Sequence, residues 1–372
     1  MAKLLLQNGM LFEGISVGAE GTAYGEICFN TSMAGYQEIL TDPSYAEQVI
    51  VMTYPEIGNY GINPDDFESS RVSARGFIIK NYCEHESHYK SSMNLSDYLK
   101  KNSIVGISGI DTRYLTMIIR ESGVMNCVVT TGEITDEIRE NLNNYSMSKD
   151  VALNVSRRQT DVIKQKNGLK LAVIDVGIKN SIIENLKALG CELTIFPGFV
   201  SAKEILNGKF DAVFISNGPG DPKDATTTIN TVKNLVGKIP MFGICLGYQI
   251  LCIVLGAKTY KLKYGHRGAN HPVINLETNK VLITSQNHGY ATLLESLPEN
   301  VIPTYKNLDD QTLEGFRCPE YKIEAVQFHP EAAPGPTDAN LILQGWIEGL
   351  KNEKKNRAGN FLKKMFCNLG QS

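Results

Sequence analysis

Lys238-Ile239-Pro240-Met241-Phe242-Gly243-Ile244-Cys245-Leu246-Gly247-Tyr248-Gln249-Ile250-Leu251 is the stretch whose reading decides the fold. Its first half is an apolar run of strand length entered by a proline. Its second half carries Leu246, Ile250, Leu251, Val254 and Leu255 at helical spacing before Gly256. A strand therefore turns sharply into a helix, and Gly243-Ile244-Cys245-Leu246-Gly247 occupies the turn. A G-x-C-x-G there is the cysteine counterpart of a nucleophile elbow: small neighbours let the strained turn close, and the side chain projects outward. The following helix aims unpaired N–H groups and the positive end of its dipole at the sulfur, which favours thiolate. An inert cysteine packed between strand and helix fits the same five residues. A base and an oxyanion donor elsewhere in the chain decide between the two readings.

Upstream of this turn the hydrophobic period alternates between strand and helix. Leu169–Asp175, Glu192–Phe196 and Asp211–Ser216 read as strands; Lys179–Leu189, Ser201–Leu206 and Asp224–Val236 read as helices. Such alternation predicts βαβ units and a mostly parallel sheet, whose ligands sit outside the carboxyl ends of the strands. Cys245 and the loop Asn217-Gly218-Pro219-Gly220-Asp221-Pro222 both fall on that edge. The first part of the chain differs, with glycine-punctuated strands at Thr22–Asn30 and Gln48–Thr53 and one helix near Asp111–Ser122. The fold class is α/β, with a smaller β-rich α/β domain at 1–150, a linker at 151–168 within a polar stretch, and the parallel-sheet domain at 169–372.

Composition narrows the classes of function. The 372 residues carry a net charge of −3 and no long basic run, which excludes the electrostatic footprint of a nucleic-acid binder. The cluster Lys351, Lys354, Lys355, Arg357, Lys363 and Lys364 reads as the solvated face of a C-terminal helix. No apolar run approaches membrane-spanning length, and the start of the chain is too short in apolar residues for a secretion signal. Eight scattered cysteines without a C-x-x-C pair suit free thiols in a reducing compartment, so a cytoplasmic protein is expected.

The histidines supply the base. Cys83, His85 and His88 suggest a metal site, but no second ligand pair stands at a suitable spacing, and a polar surface loop is the expectation. His266 and His271 flank a glycine-bearing stretch and are expected in a loop. His329 lies just past the strand Lys322–Phe328 and is followed by Pro330 and Glu331, on the edge where Cys245 emerges. A cysteine, a histidine to take its proton and a carboxylate to orient the imidazole form an acyl-transfer triad. Gly218 and the amide after the cysteine, that of Leu246, could hold a tetrahedral oxyanion. The glycine loop matches neither phosphate-binding pattern, and its two prolines remove amide donors.

These segments resemble the class I, triad-type glutamine amidotransferases: Ser216–Pro222, Phe242–Gln249 and Gln327–Glu331 match in order and spacing. Gly35–Tyr45, Met52–Gly61 and Ser108–Arg113 are further similar to the small-subunit family of glutamine-dependent carbamoyl-phosphate synthase, so the resemblance covers nearly the whole chain. It implies Cys245 as nucleophile, His329 as acid/base and Glu331 as its orienter, with the amides of Gly218 and Leu246 as oxyanion hole. It implies Ser44, Gly220, Gln249, Asn287, Gly289 and Tyr290 as glutamine contacts, Ser44 reaching in from the first domain. Glutamine would be hydrolysed through a cysteine thioester and the ammonia passed to a large synthetase subunit that makes carbamoyl phosphate for pyrimidines or arginine. ATP and divalent metal would belong to that partner, with no cofactor and no metal in this chain. An amidotransferase serving a different synthetase is the alternative. Tyr248 and Arg267 depart from the family pattern, with altered fine structure but unaltered chemistry expected.

Overall fold

The computed structural model describes residues 1–369, those past 356 by backbone alone. The side chains of Arg357, Lys363, Lys364 and Cys367 thus lie outside the described residues. The first domain is built on a closed seven-stranded barrel in the order Ala2–Leu6, Leu11–Ser16, Val105–Ser108, Gly76–Ile78, Gln48–Met52, Thr22–Asn30 and Asn126–Thr130. Closure leaves no unpaired edge. It also explains why Gln48-Val49-Ile50-Val51-Met52 is apolar without alternation, since the strand is buried throughout. Val49 and Val51 pack with Leu4 and Ile107, whereas Ile50 and Met52 pack with Tyr36, Leu40 and Phe77. The predicted helix begins at Thr112, with the Asp111 carboxylate accepting from Tyr114 N at 3.0 Å as its N-cap.

The second domain is a ten-stranded sheet, read from one edge as Asp161–Ile163, Cys191–Pro197, Leu169–Asp175, Ala212–Ile215, Met241–Ile244, Ile323–Val326, Leu313–Cys318, Ile302–Asn307, Thr259–Asn275 and Val281–Thr292. The five strands from Cys191–Pro197 to Ile323–Val326 run parallel, and the others are antiparallel extensions. The strands expected from the sequence match the parallel part to within three residues at each end. Two apolar clusters cover it, one containing Ile174, Ile215, Met241 and Leu251, the other Val173, Phe214, Phe242 and Trp346. Each such fully buried side chain contributes roughly 1.5–3 kcal/mol.

Residues 151–168 differ from a free linker. They contain a helical turn, Val151–Val155, and the strand Asp161–Ile163, which adds antiparallel to Cys191–Pro197. Arg157 fixes the crossing, its Nε 2.8 Å from Asp175 Oδ2 and its Nη1 2.6 Å from Asp161 Oδ2. Such polar anchoring leaves no hydropathic trace. Among the described residues no helix is long and apolar enough to cross a membrane.

Candidate active site

The elbow is where the sequence placed it. The strand Met241–Ile244 ends at Cys245, whose φ of 54° and ψ of −106° are strained for a residue with a side chain, and the helix Leu246–Leu255 starts immediately after. The flanking glycines are there for space. A Cβ on Gly243 would meet the Gly247 carbonyl carbon at 2.7 Å, and one on Gly247 would meet Ile215 O at 2.2 Å. The same holds for the proposed oxyanion loop, where a Cβ on Gly218 would sit 2.0 Å from Val176 O. Gly220 has φ +92°, a conformation glycine tolerates. Only glycine lets this loop press against the neighbouring strand end and the start of the helix.

Cys245, His329 and Glu331 come together and are all buried. His329 follows the strand Ile323–Val326 and is held by its backbone N–H, which donates to Ser285 O at 2.9 Å. Its Nδ1 lies 2.7 Å from Glu331 Oε1, so the carboxylate fixes that nitrogen as the protonated one. Its Nε2 makes no hydrogen bond, and the Cys245 thiol interacts with the ring. Burial opposes charge on His329, but Glu331 and the thiol outweigh it and push the imidazole up to about 10. Burial likewise resists ionisation of Glu331, while Lys179 and His329 overcome it and hold the carboxyl down at about 2. The Cys245 sulfur is also 3.5 Å from the Asn287 carbonyl oxygen.

Lys179 was not found in the sequence. Its Nζ donates to Glu331 Oε1 at 2.9 Å and to Ala332 O at 2.6 Å, and the side chain is 3% exposed. A lysine beginning a helix reads as solvated. Here Asp175 Oδ1 accepts from Gly177 N and Ile178 N, and Asn217 Oδ1 from Lys179 N, a turn that places the lysine beside the buried carboxylate. Asp42 was also missed: its Oδ2 accepts from Asn287 Nδ2 at 2.9 Å and its Oδ1 from Ser44 N at 2.9 Å. Only its adjacency to Ser44 signalled it.

A cavity of about 90 Å³ opens over Cys245. Seven of the expected contacts line it: Ser44, Gly218, Gly220, Gln249, Asn287, Gly289 and Tyr290; Leu246 is not in its wall. Ser44 arrives from the barrel domain and its Oγ accepts from Asn217 Nδ2 at 2.9 Å. Gln249 turns its amide inward, Nε2 donating to Tyr290 O at 2.8 Å and to Gln327 Oε1 at 2.9 Å. A second, smaller cavity touches His329 and Asn287 and continues among Asn30, Ser32 and Glu38 of the barrel domain.

The two departures separate. Tyr248 is fully buried, with its hydroxyl donating to Leu313 O at 3.2 Å and its ring against Phe316, and it is not in the cavity wall. Arg267 lines the cavity and donates to Tyr264 O at 2.8 Å. His266 and His271 correct a further expectation. Both lie on the strand Thr259–Asn275, and His266 is buried at 7% exposure, because carboxylates rather than solvent satisfy it. Cys83, His85 and His88 form the expected surface loop, with both histidines exposed.

Comparison with known proteins agrees with this geometry. The class is that of the class-I glutamine amidotransferases, whose family matches residues 172–348. The carbamoyl-phosphate synthase small chain domain matches residues 4–129. The chain is 49% identical to the carbamoyl phosphate synthase small chain of Clostridium acetobutylicum, over 92% of this chain and 98% of that one. It is 46% identical to the Clostridium perfringens small chain, over 93% and 99%. To the pyrimidine-specific small chain of Bacillus subtilis it is 42% identical, over 95% and 97%. The chain belongs to the carbamoyl phosphate synthase small chain family.

Proposed function

We propose that the chain is the glutaminase subunit of a carbamoyl-phosphate synthase, hydrolysing glutamine to glutamate and ammonia and passing the ammonia to a large synthetase subunit. The observation that carries it is the buried series Cys245, His329, Glu331 and Lys179, with the sulfur on a strained elbow beneath a cavity. The Cys245 thiolate attacks the side-chain carbonyl carbon of glutamine, and the oxygen becomes an oxyanion held by the amides of Gly218 and Leu246. The C–N bond then breaks, and His329, protonated at neutral pH, gives its Nε2 proton to the departing ammonia. The remaining thioester accepts a water whose proton goes to His329, the C–S bond breaks and glutamate leaves. Glu331, neutralised by Lys179, stabilises the imidazolium at both steps.

The second cavity, about 20 Å³ beside His329 and lined also by Asn30, Ser32 and Glu38 of the barrel domain, is in keeping with shielded transfer. ATP and divalent metal belong to the partner in this reading, and the isolated chain turns over no ATP. Glutamate release is measured for the chain alone and with large subunit, bicarbonate and ATP. Low basal release that rises sharply with the partner supports the coupled subunit. Indifference to that partner would leave an amidotransferase serving a different synthetase. Cys245→Ser is expected to lower glutamate release by at least about a thousandfold with an unchanged melting curve.

A further inference from the structure

The hairpin that carries Asn287, Gly289 and Tyr290 is paired in three short ladders separated by two register shifts. In the middle one His266 pairs with His288, Arg267 with Asn287 and Gly268 with Gln286. Pairing resumes beyond both shifts, at Lys261 with Tyr290 and at His271 with Thr284, but the bulges kink the middle ladder, where side chains add to its position. His266 supplies the tie. Its Nε2 lies 2.8 Å from Asp310 Oδ2 and its Nδ1 3.5 Å from Glu314 Oε1. Asp310 is itself fixed by Thr312 Oγ1 at 2.7 Å, and Glu314 by Asn307 Nδ2 at 3.2 Å. Glu314 lies on the strand Leu313–Cys318, next to the strand that leads to His329, and its carbonyl accepts from Gln327 N at 2.8 Å. One imidazole therefore joins the cavity wall to the strand beside the triad.

We propose that His266 is a positioning residue for glutamine: its charged ring, clamped between Asp310 and Glu314, sets Asn287–Tyr290 against Cys245. The inference rests on the glutaminase reading above. The charge is required by what surrounds it. Glu314 is fully buried, and its second oxygen has no hydrogen-bond partner; a buried carboxylate without a cation is strongly unfavourable. Burial works against charge on His266, but Asp310 and Glu314 outweigh it and push the ring up to about 9. Two other imidazoles face it, His288 at 4.9 Å and His271 at 5.4 Å between ring centroids. Burial, then the charge on His266, lowers both, with Arg267 adding to the effect at His288.

A metal ion is the rival occupant, since ligand atoms of His266, His288 and Glu314 lie within 4.8 Å of one another. The donor set does not suit one. Asp310 takes one nitrogen of His266 at 2.8 Å and Glu314 faces the other at 3.5 Å, and the ring they raise to about 9 is protonated at neutral pH and offers no lone pair. Both nitrogens of His288 are engaged at 2.7 Å, by Tyr290 O and Gln286 Oε1. The cluster holds a proton.

The test measures glutamate release by the full chain with its large subunit, from about pH 6.5 to about pH 10, for wild type, H266Q and H266K. Cys245 alkylation by iodoacetamide and the melting temperature are followed in parallel. H266Q is expected to raise KM for glutamine about tenfold with kcat within about twofold and alkylation unchanged, and H266K to recover part of the loss. Wild-type KM should climb above about pH 9 while that of H266Q stays flat. Should H266Q not fold, D310N, which loosens one arm of the clamp, carries the same KM measurement. An unchanged KM in the variant that folds overturns the proposal, as does a joint fall of kcat, alkylation and melting temperature. A wild type that is alkylated yet releases no glutamate removes the glutaminase reading, and with it this proposal, at a different point.

Discussion

Two buried histidines, neither of them in the wall of the cavity over Cys245, are each bonded to a carboxylate, His329 to Glu331 at 2.7 Å and His266 to Asp310 at 2.8 Å. Both rings are raised, to about 10 and about 9, because those carboxylates outweigh burial. They differ at the second nitrogen. In both it lacks a hydrogen bond, but in His329 it lies beside a thiol and in His266 it faces a second carboxylate, Glu314, at 3.5 Å. The first ring can pass its proton on, whereas the second can only keep it. The same residue type, at similar burial, thus serves reaction in one place and, in this proposal, position in the other. What separates the two is the partner of one atom.

The largest effect expected of this contrast is at the reactive ring. His329→Asn should cut kcat by about 10²–10⁴, read as glutamate release at saturating glutamine, with the fold intact by circular dichroism. Lys179→Met comes next, because it leaves Glu331 charged, buried and short of a cation. A loss of about 3–5 kcal/mol in denaturant unfolding is expected. Glu331 is depressed to about 2 from 4.5, so its stabilisation is present above pH 4.5 and lost as pH falls towards 2. In the lysine variant Glu331 is depressed less, so that acid decline should shrink and end at higher pH, and an unmoved profile would break the assigned role.

At the positioning ring the sign reverses. His266 is raised from 6.5 to about 9, so its contribution is complete below pH 6.5 and disappears as pH rises through 9. Melting temperatures of wild type should fall over that alkaline window, and those of His266→Gln should lack that component. The smallest effect is expected where the comparison predicts none: Tyr248→His should keep kcat/KM within about twofold, since Tyr248 bonds Leu313 O away from the cavity wall. A tenfold change there would place Tyr248 in the reaction after all.

The triad half of the pocket was legible because parallel buried strands announce themselves. Leu171–Ile174 and Met241–Ile244 are unbroken apolar runs, the elbow stands at the end of the second, and the His-Pro-Glu turn follows the parallel strand Ile323–Val326. The other half was not. Thr259–Asn275 mixes Lys261, Lys263, His266 and Arg267 among few apolar residues, and reads as loop. Its burial depends on carboxylates at positions 310 and 314, over forty residues away, which no local pattern reveals. Lys179 was hidden for the same reason, its partner Glu331 lying 152 residues on. Closure of the barrel escaped notice because strands such as Gly76–Ile78 are too short to carry a period.

The hydrogen bonds from Asn287 to Asp42 and from Asn217 to Ser44 cross between the two domains at the floor of the pocket. They make the barrel a lever arm. A partner that grips it and shifts it by even an ångström moves the peptide on which the sulfur rests, without touching any residue of the triad. The amidotransferase half expressed alone would keep its nucleophile and lose the surface against which the substrate is aimed.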